Sequence, residues 1–180
     1  MTRTPELSRT DVRESLLETY AVNERMNQIV LERLDARAWR AKPPGRNMRT
    51  IAAIFAHVHN VRRKWLRLSA PDLKLPTELD YRRCTRRDVR KALAESARLC
   101  GQMLAEALEE TGGEFKFVRD GWAKVWPGGA AMFAYMVVHD AHHRGQVCLL
   151  AHQLGYPLKK GYEIWVWEKI WKECGFRGPR

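Results

Sequence analysis

The sequence predicts an all-α protein: a four-helix bundle closed by a short extra helix near its C-terminal end. Three observations lead there. Apolar residues recur at three- and four-residue intervals along four long segments, glycine and proline gather between those segments, and no pair of alternating runs offers a β-hairpin. At 180 residues the chain has the length of one domain, 1–180, and can bury a sizeable core without covalent staples.

The first helix is expected from about Ser8 to about Arg37, with Val12, Leu16, Tyr20, Asn23, Asn27, Val30 and Leu34 at helical spacing. Pro43-Pro44-Gly45 closes that region, and Asn47 or Thr50 can cap the next helix. The second helix, near Thr50 to Leu68, places Ile51, Ile54, Val58, Val61, Trp65 and Leu68 on one stripe. Pro71 and Pro76 break it, and the link that follows is long by bundle standards, able to cross the end of the molecule. Thr85 with Asp88 three residues later marks the start of a third helix running to about Glu110, where Gly112-Gly113 stops it. Phe115 to Val118 reads as an extended link. The fourth helix begins near Gly129 and ends at Gln153 or Leu154, with Gly155 as its stop. A short last helix is expected from Tyr162 to Glu173.

Composition narrows the functional classes. A hydrophobic fraction of 45% is ordinary for a globular protein. No run of apolar residues is long enough to span a bilayer, and Met1 to Glu6 has no apolar stretch behind its positive charge, so no signal peptide is expected. Cys84, Cys100, Cys148 and Cys174 are scattered without CxxC spacing, which fits reduced thiols and a cytoplasmic location. A net charge of +11 keeps a basic nucleic-acid binder among the readings, with Arg62-Arg63-Lys64 and the arginines between Arg82 and Arg90 as its clusters. No zinc finger, RNP motif or GxxG clamp accompanies that charge, and a solvated arginine-rich helix surface accounts for it.

The histidines carry the chemistry. His139 and His143 are four residues apart on the fourth helix, so they share a face with Met132, Tyr135, Met136, Gln146, Leu150 and Leu154. On the second helix His57 lies at the edge of the inward stripe, whereas His59 is rotated more than a right angle away and is expected to face solvent or a side crevice. Three neutral imidazoles converging from two helices suit one divalent transition metal and leave coordination positions open. The string His139-Asp140-x-x-His143 is one methylene from the HExxH of zinc proteases, but no further ligand follows it, and Asp140 is the one candidate general base.

These residues also carry a resemblance. Gly121 to Met132, His139-Asp-Ala-His-His-Arg-Gly-Gln146, Leu154-Gly-Tyr-Pro157 and Thr50-Ile-Ala-Ala-Ile-Phe-Ala-His57-Val-His-Asn-Val-Arg62 together resemble the DinB (DinB/YfiT-like) family, over nearly the whole chain. The resemblance implies a four-helix bundle with a crossover between the second and third helices. It implies a metal, commonly nickel or zinc, on one histidine of the second helix and two of the last, which fall on His57, His139 and His143. It also implies frequent pairing as homodimers, and activities that include thiol-dependent transfer, isomerisation and hydrolysis. Asp140 departs from the Glu that close relatives favour after the first histidine; that position is not a metal ligand of the family.

Other residues are read more plainly. Gln146, one turn beyond His143, is expected to support a ligand or pack. Arg144 and Gly145 leave the inner face, and Gly145 permits close helix approach. Trp122, Trp126, Trp165, Trp167 and Trp171 are expected in core or dimer packing, and Cys100 and Cys148 as apolar residues. The leading functional expectation is a metal-dependent hydrolase or thiol-dependent transferase or isomerase, acting on a small molecule that can include a low-molecular-weight thiol. A non-catalytic metal-binding bundle is the alternative from another class.

Overall fold

The computed structural model describes residues 9–45, 47–109, 116–118, 126–127 and 129–158. Four long helices dominate: α1 Arg9–Arg33, α2 Ile51–Ser69, α3 Arg86–Glu109 and α4 Ala130–Gln153. The expected C-terminal helix and its tryptophans, with Trp122 and Cys174, lie outside the described residues.

The helix ends follow local chemistry. Thr50 caps α2, its Oγ1 accepting from the Ala53 N–H at 3.2 Å. Before α3, Thr85 and Asp88 satisfy each other: the Asp88 N–H donates to Thr85 Oγ1 at 3.1 Å and the Thr85 N–H to Asp88 Oδ2 at 2.9 Å, a reciprocal box that occupies two otherwise orphaned donors. Gly155, at φ +80°, ends α4 in the left-handed conformation that glycine adopts without strain, and the Tyr156 N–H reaches back to the Ala151 carbonyl. Two boundaries differ from expectation. α1 stops at Arg33, because Asp35 caps a separate 3-10 turn, Ala36–Ala38. A two-residue antiparallel ladder pairs Lys116 with Pro127 and Phe117 with Trp126, too short to read from alternation.

The core divides into two apolar clusters. One gathers Val30, Leu34, Ile51, Ile54, Val89, Leu93, Val147 and Leu150. The other gathers Tyr20, Trp65, Leu66, Leu99, Met103, Leu104, Met132 and Met136. Chain direction follows from this division: α1 and α4 run from the second cluster to the first, and α2 and α3 run the opposite way. Each of α1 and α2 packs on both α3 and α4, so the order around the bundle is α1, α3, α2, α4. Parallel neighbours cannot be joined by a tight turn, so the link from α2 to α3 must travel back along the bundle. It does: Leu73 and Leu75 pack on the second cluster and Leu79 on the first.

Three side chains of α2 hold that link. Asn60 Nδ2 donates to the Leu79 carbonyl at 2.9 Å and the Leu79 N–H returns to Asn60 Oδ1 at 3.0 Å. Arg63 Nε donates to the Pro76 carbonyl. His59, expected to face solvent or a side crevice, is fully buried under the link, with Nε2 2.8 Å from the Thr77 carbonyl and Nδ1 3.1 Å from Ser96 Oγ. The helical angle was right; the link covers that face, which no periodicity reveals. At the start of α1 the reverse holds, and Val12 is exposed; the first α1 side chain packed on the second cluster is Leu17.

Candidate metal centre

Between the two apolar clusters lies a polar layer. Asn23, Asn27, Arg62 and Asp140 are all buried there, on α1, α2 and α4. The charge reading of the sequence placed Arg62 on a solvated face; its side chain is 0% exposed, ion-paired to Glu24 Oε2 at 2.8 Å and, more tightly, to Asp140 Oδ2. Asn23 and Asn27 also donate to Asp140 Oδ2, at 2.8 and 3.2 Å. Their carbonyl oxygens accept from Arg144 Nη1 at 3.0 and 2.8 Å, so Arg144, expected off the inner face, is drawn across to α1. Burial alone would raise the Asp140 carboxyl. The Arg62 guanidinium overrides it and holds the group ionised, well below the usual carboxylate range.

This layer carries the histidines on its rim. His57 on α2 and His139 and His143 on α4 converge, with ring centroids 4.6 to 5.7 Å apart and one ligand nitrogen from each lying within 4.8 Å of the others. The three expected from spacing are the three that meet. His59, His142 and His152 stay out: His59 serves the link, and His142 and His152 are exposed. Trp65 walls one side, its ring edge-on to His139 at 5.1 Å.

The nitrogens are prepared from behind. His143 Nδ1 lies 2.8 Å from Gln146 Oε1. An amide oxygen only accepts, so Nδ1 carries the proton and Nε2 keeps its lone pair. Gln146, whose role the sequence left between support and packing, thus orients a ring, and its Nε2 also meets His142. His139 Nδ1 faces Asp140 Oδ1 at 3.5 Å, longer than a formed hydrogen bond; both atoms are buried with no other partner. A carboxylate behind a histidine is the usual backing of a metal-bound imidazole. His57 and His143 are both depressed to about 4, chiefly by burial; the Arg49 charge adds to this at each, and His139 adds to it at His143. Both rings are therefore neutral at pH 7, the protonation state a metal requires.

The same geometry removes two expectations. Asp140 is enclosed and already engaged by Arg62, Asn23 and Asn27, so it is no general base, and the protease-like reading of the string loses its catalytic acid. Of the basic cluster on α2, Arg62 is buried and Arg63 is tied to Pro76 and Glu78, while Lys64 and Arg67 are the members that stay exposed.

Fold and site together define a helical-bundle protein with a three-histidine cluster able to hold a metal ion. More specifically, the chain belongs to the DinB family, whose family model matches residues 7–173. No curated protein and no solved structure matches it. No helix among the described residues is long and apolar enough to cross a membrane.

Proposed function

We propose that this protein is a metal-dependent enzyme in which His57, His139 and His143 hold one divalent transition ion, zinc or nickel, and act on a small-molecule substrate. The observation that carries this is the convergence of three imidazoles from two helices, with no fourth protein donor in the cluster among the described residues. A structural site closes its coordination with protein ligands; a reactive one leaves a position open. When bound, such an ion lowers the pKa of a water or a thiol held beside it, so that the anion attacks at neutral pH. The chain's own part is to keep the His57 and His143 rings neutral by burial, fix the His143 tautomer through Gln146, and set a carboxylate behind His139. Hydrolysis and thiol-dependent transfer or isomerisation share these requirements.

The test is metal content by plasma mass spectrometry on untagged protein, with His57→Ala beside it. About one zinc or nickel per chain, lost by more than tenfold in the variant with helicity retained, is the expected result. Wild-type protein that takes up no ion even on reconstitution sinks the reading. If the ion binds but its removal unfolds the chain, the non-catalytic bundle becomes the better account.

The reading extends to a cytoplasmic homodimer. What supports pairing is the outer face of α4, where Ala131, Ala134, Val138, Ala141 and Gly145 are all exposed at helical spacing and Val138 is 64% exposed. Small apolar residues in such a row let two helices approach closely. Light scattering should give twice the chain mass for the wild type and a monomer for Val138→Glu; a monomeric wild type removes the dimer.

A further inference from the structure

Beside the histidine cluster, a second feature has no role in holding a metal. A pocket of about 490 Å³ lies between residues 47–54 and the last turns of α4, lined by Met48, Arg49, Ile54, Gln146, Leu149 and Leu150. That volume is within the range of small-molecule sites. Its walls are of two kinds. Met48 and Leu149 are 50% and 59% exposed, two large apolar side chains left in water along one cavity, with Ile54 and Leu150 buried among its lining. Arg49 supplies the charge: it is exposed, and among the described residues no hydrogen bond or ion pair engages its guanidinium.

The pocket and the histidine cluster share Gln146 as a neighbour: it lines the pocket, and its Oε1 lies 2.8 Å from His143 Nδ1. The segment that carries Met48 and Arg49 is set by Asn47 at φ 59° and Gly45 at φ 112°. A Cβ at Gly45 would lie 3.2 Å from Met48 Sδ, so the turn packs closely against one pocket wall.

We propose that this pocket is the substrate subsite of the centre and takes a small organic anion, a carboxylate with an apolar body. The carboxylate pairs with the Arg49 guanidinium, which presents a planar fork suited to it. The apolar body lies between Met48 and Leu149, covering both, and its remaining end points past Gln146 toward the histidines. The inference rests on the proposed function for its chemistry, but the binding itself does not need the ion. The groove between α1 and α3, lined by Leu17, Tyr20, Glu24, Ala97 and Arg98, is the rival apolar surface; its Arg98 is already bonded to Gln102, and its Glu24 reaches the cluster only through Arg62 and Asp140.

The experiment is calorimetric titration of the full chain with 4-phenylbutyrate and, in parallel, 4-phenylbutanol, with metal content measured on each sample. Saturable binding of the carboxylate is expected, roughly tenfold weaker in Arg49→Gln, as a charged hydrogen-bonded pair is lost, weaker also in Leu149→Asp, and unchanged in Arg98→Gln. The alcohol should bind about as weakly to the wild type as the carboxylate does to Arg49→Gln. Binding that is indifferent to Arg49→Gln, or lost in Arg98→Gln, overturns the subsite even if the protein carries its ion. Arg49-dependent binding by a chain that takes up no ion even on reconstitution keeps the subsite and overturns the metal reading instead.

Discussion

At His57 and His143, burial sets the protonation state, and the consequence is measurable in the metal-free chain. Both rings are held at about 4 in the fold, whereas an unfolded histidine titrates near 6.5. Between those values the unfolded chain binds more protons than the native one, so stability rises with pH. Chelator-treated protein should therefore lose stability as pH falls from about 6.5 toward 4, with a slope of up to about 1.4 kcal/mol per pH unit for each ring. Urea melts at pH 7, 6 and 5 check this. A flat profile in this window would mean that the rings are protonated in the fold or exposed to water. His59 makes a contrast at the same scale. Its pKa too is lowered by burial, yet its nitrogens are spent on Thr77 and Ser96, and it has none to offer an ion.

For α2, the face away from the histidine cluster does as much as the face toward it. Asn60, Arg63 and His59 fasten the returning link, while His57 looks into the centre. His59→Ala leaves the Thr77 carbonyl and Ser96 without their partner and opens a void, so a loss of about 1–3 kcal/mol in unfolding free energy is expected. Metal content should be unchanged. Loss of metal in that variant, with stability intact, would mean that the ligand assignment on α2 is wrong. Helix caps were easier to foresee. Thr50 and the Thr85–Asp88 pair announce α2 and α3 because capping is a contact between residues three apart. Likewise the His139–His143 spacing is a property of one helix. What made His59 illegible is that its covering segment, residues 70–85, has no periodic pattern, and its route is dictated by helix directions rather than by its own residues.

Across the molecule, the polar layer joins α1, α2 and α4 at one level of the bundle, between two apolar clusters. Arg62 is fully buried, so its charge is tolerable only while Asp140 and Glu24 answer it. Asp140→Asn takes away half of that compensation and also the carboxylate behind His139. We expect a destabilisation of about 3–5 kcal/mol and, in whatever fraction remains folded, metal affinity reduced about 10- to 100-fold. Denaturant melts and competition with a chromophoric chelator measure the two separately. A variant as stable as the wild type would show that the layer is not a coupled unit.

The bundle, its four long helices, two of their caps and the three histidines that meet were all legible in the residues, because each depends on spacing within a helix. The DinB resemblance was legible too, since its motifs are local strings. The burial of Arg62, the true partners of Asp140 and the latch made by His59 were not. An arginine in a basic run looks solvated until three helices bring it a carboxylate, an acid next to a histidine looks catalytic until it is enclosed, and a histidine off the inward stripe looks exposed until a crossing segment lies over it. Sequence determined which groups each helix presents on which face. Tertiary structure alone decided what each face meets, because burial and charge pairing arise between segments far apart in the chain, and the direction of each helix fixes which of them come together.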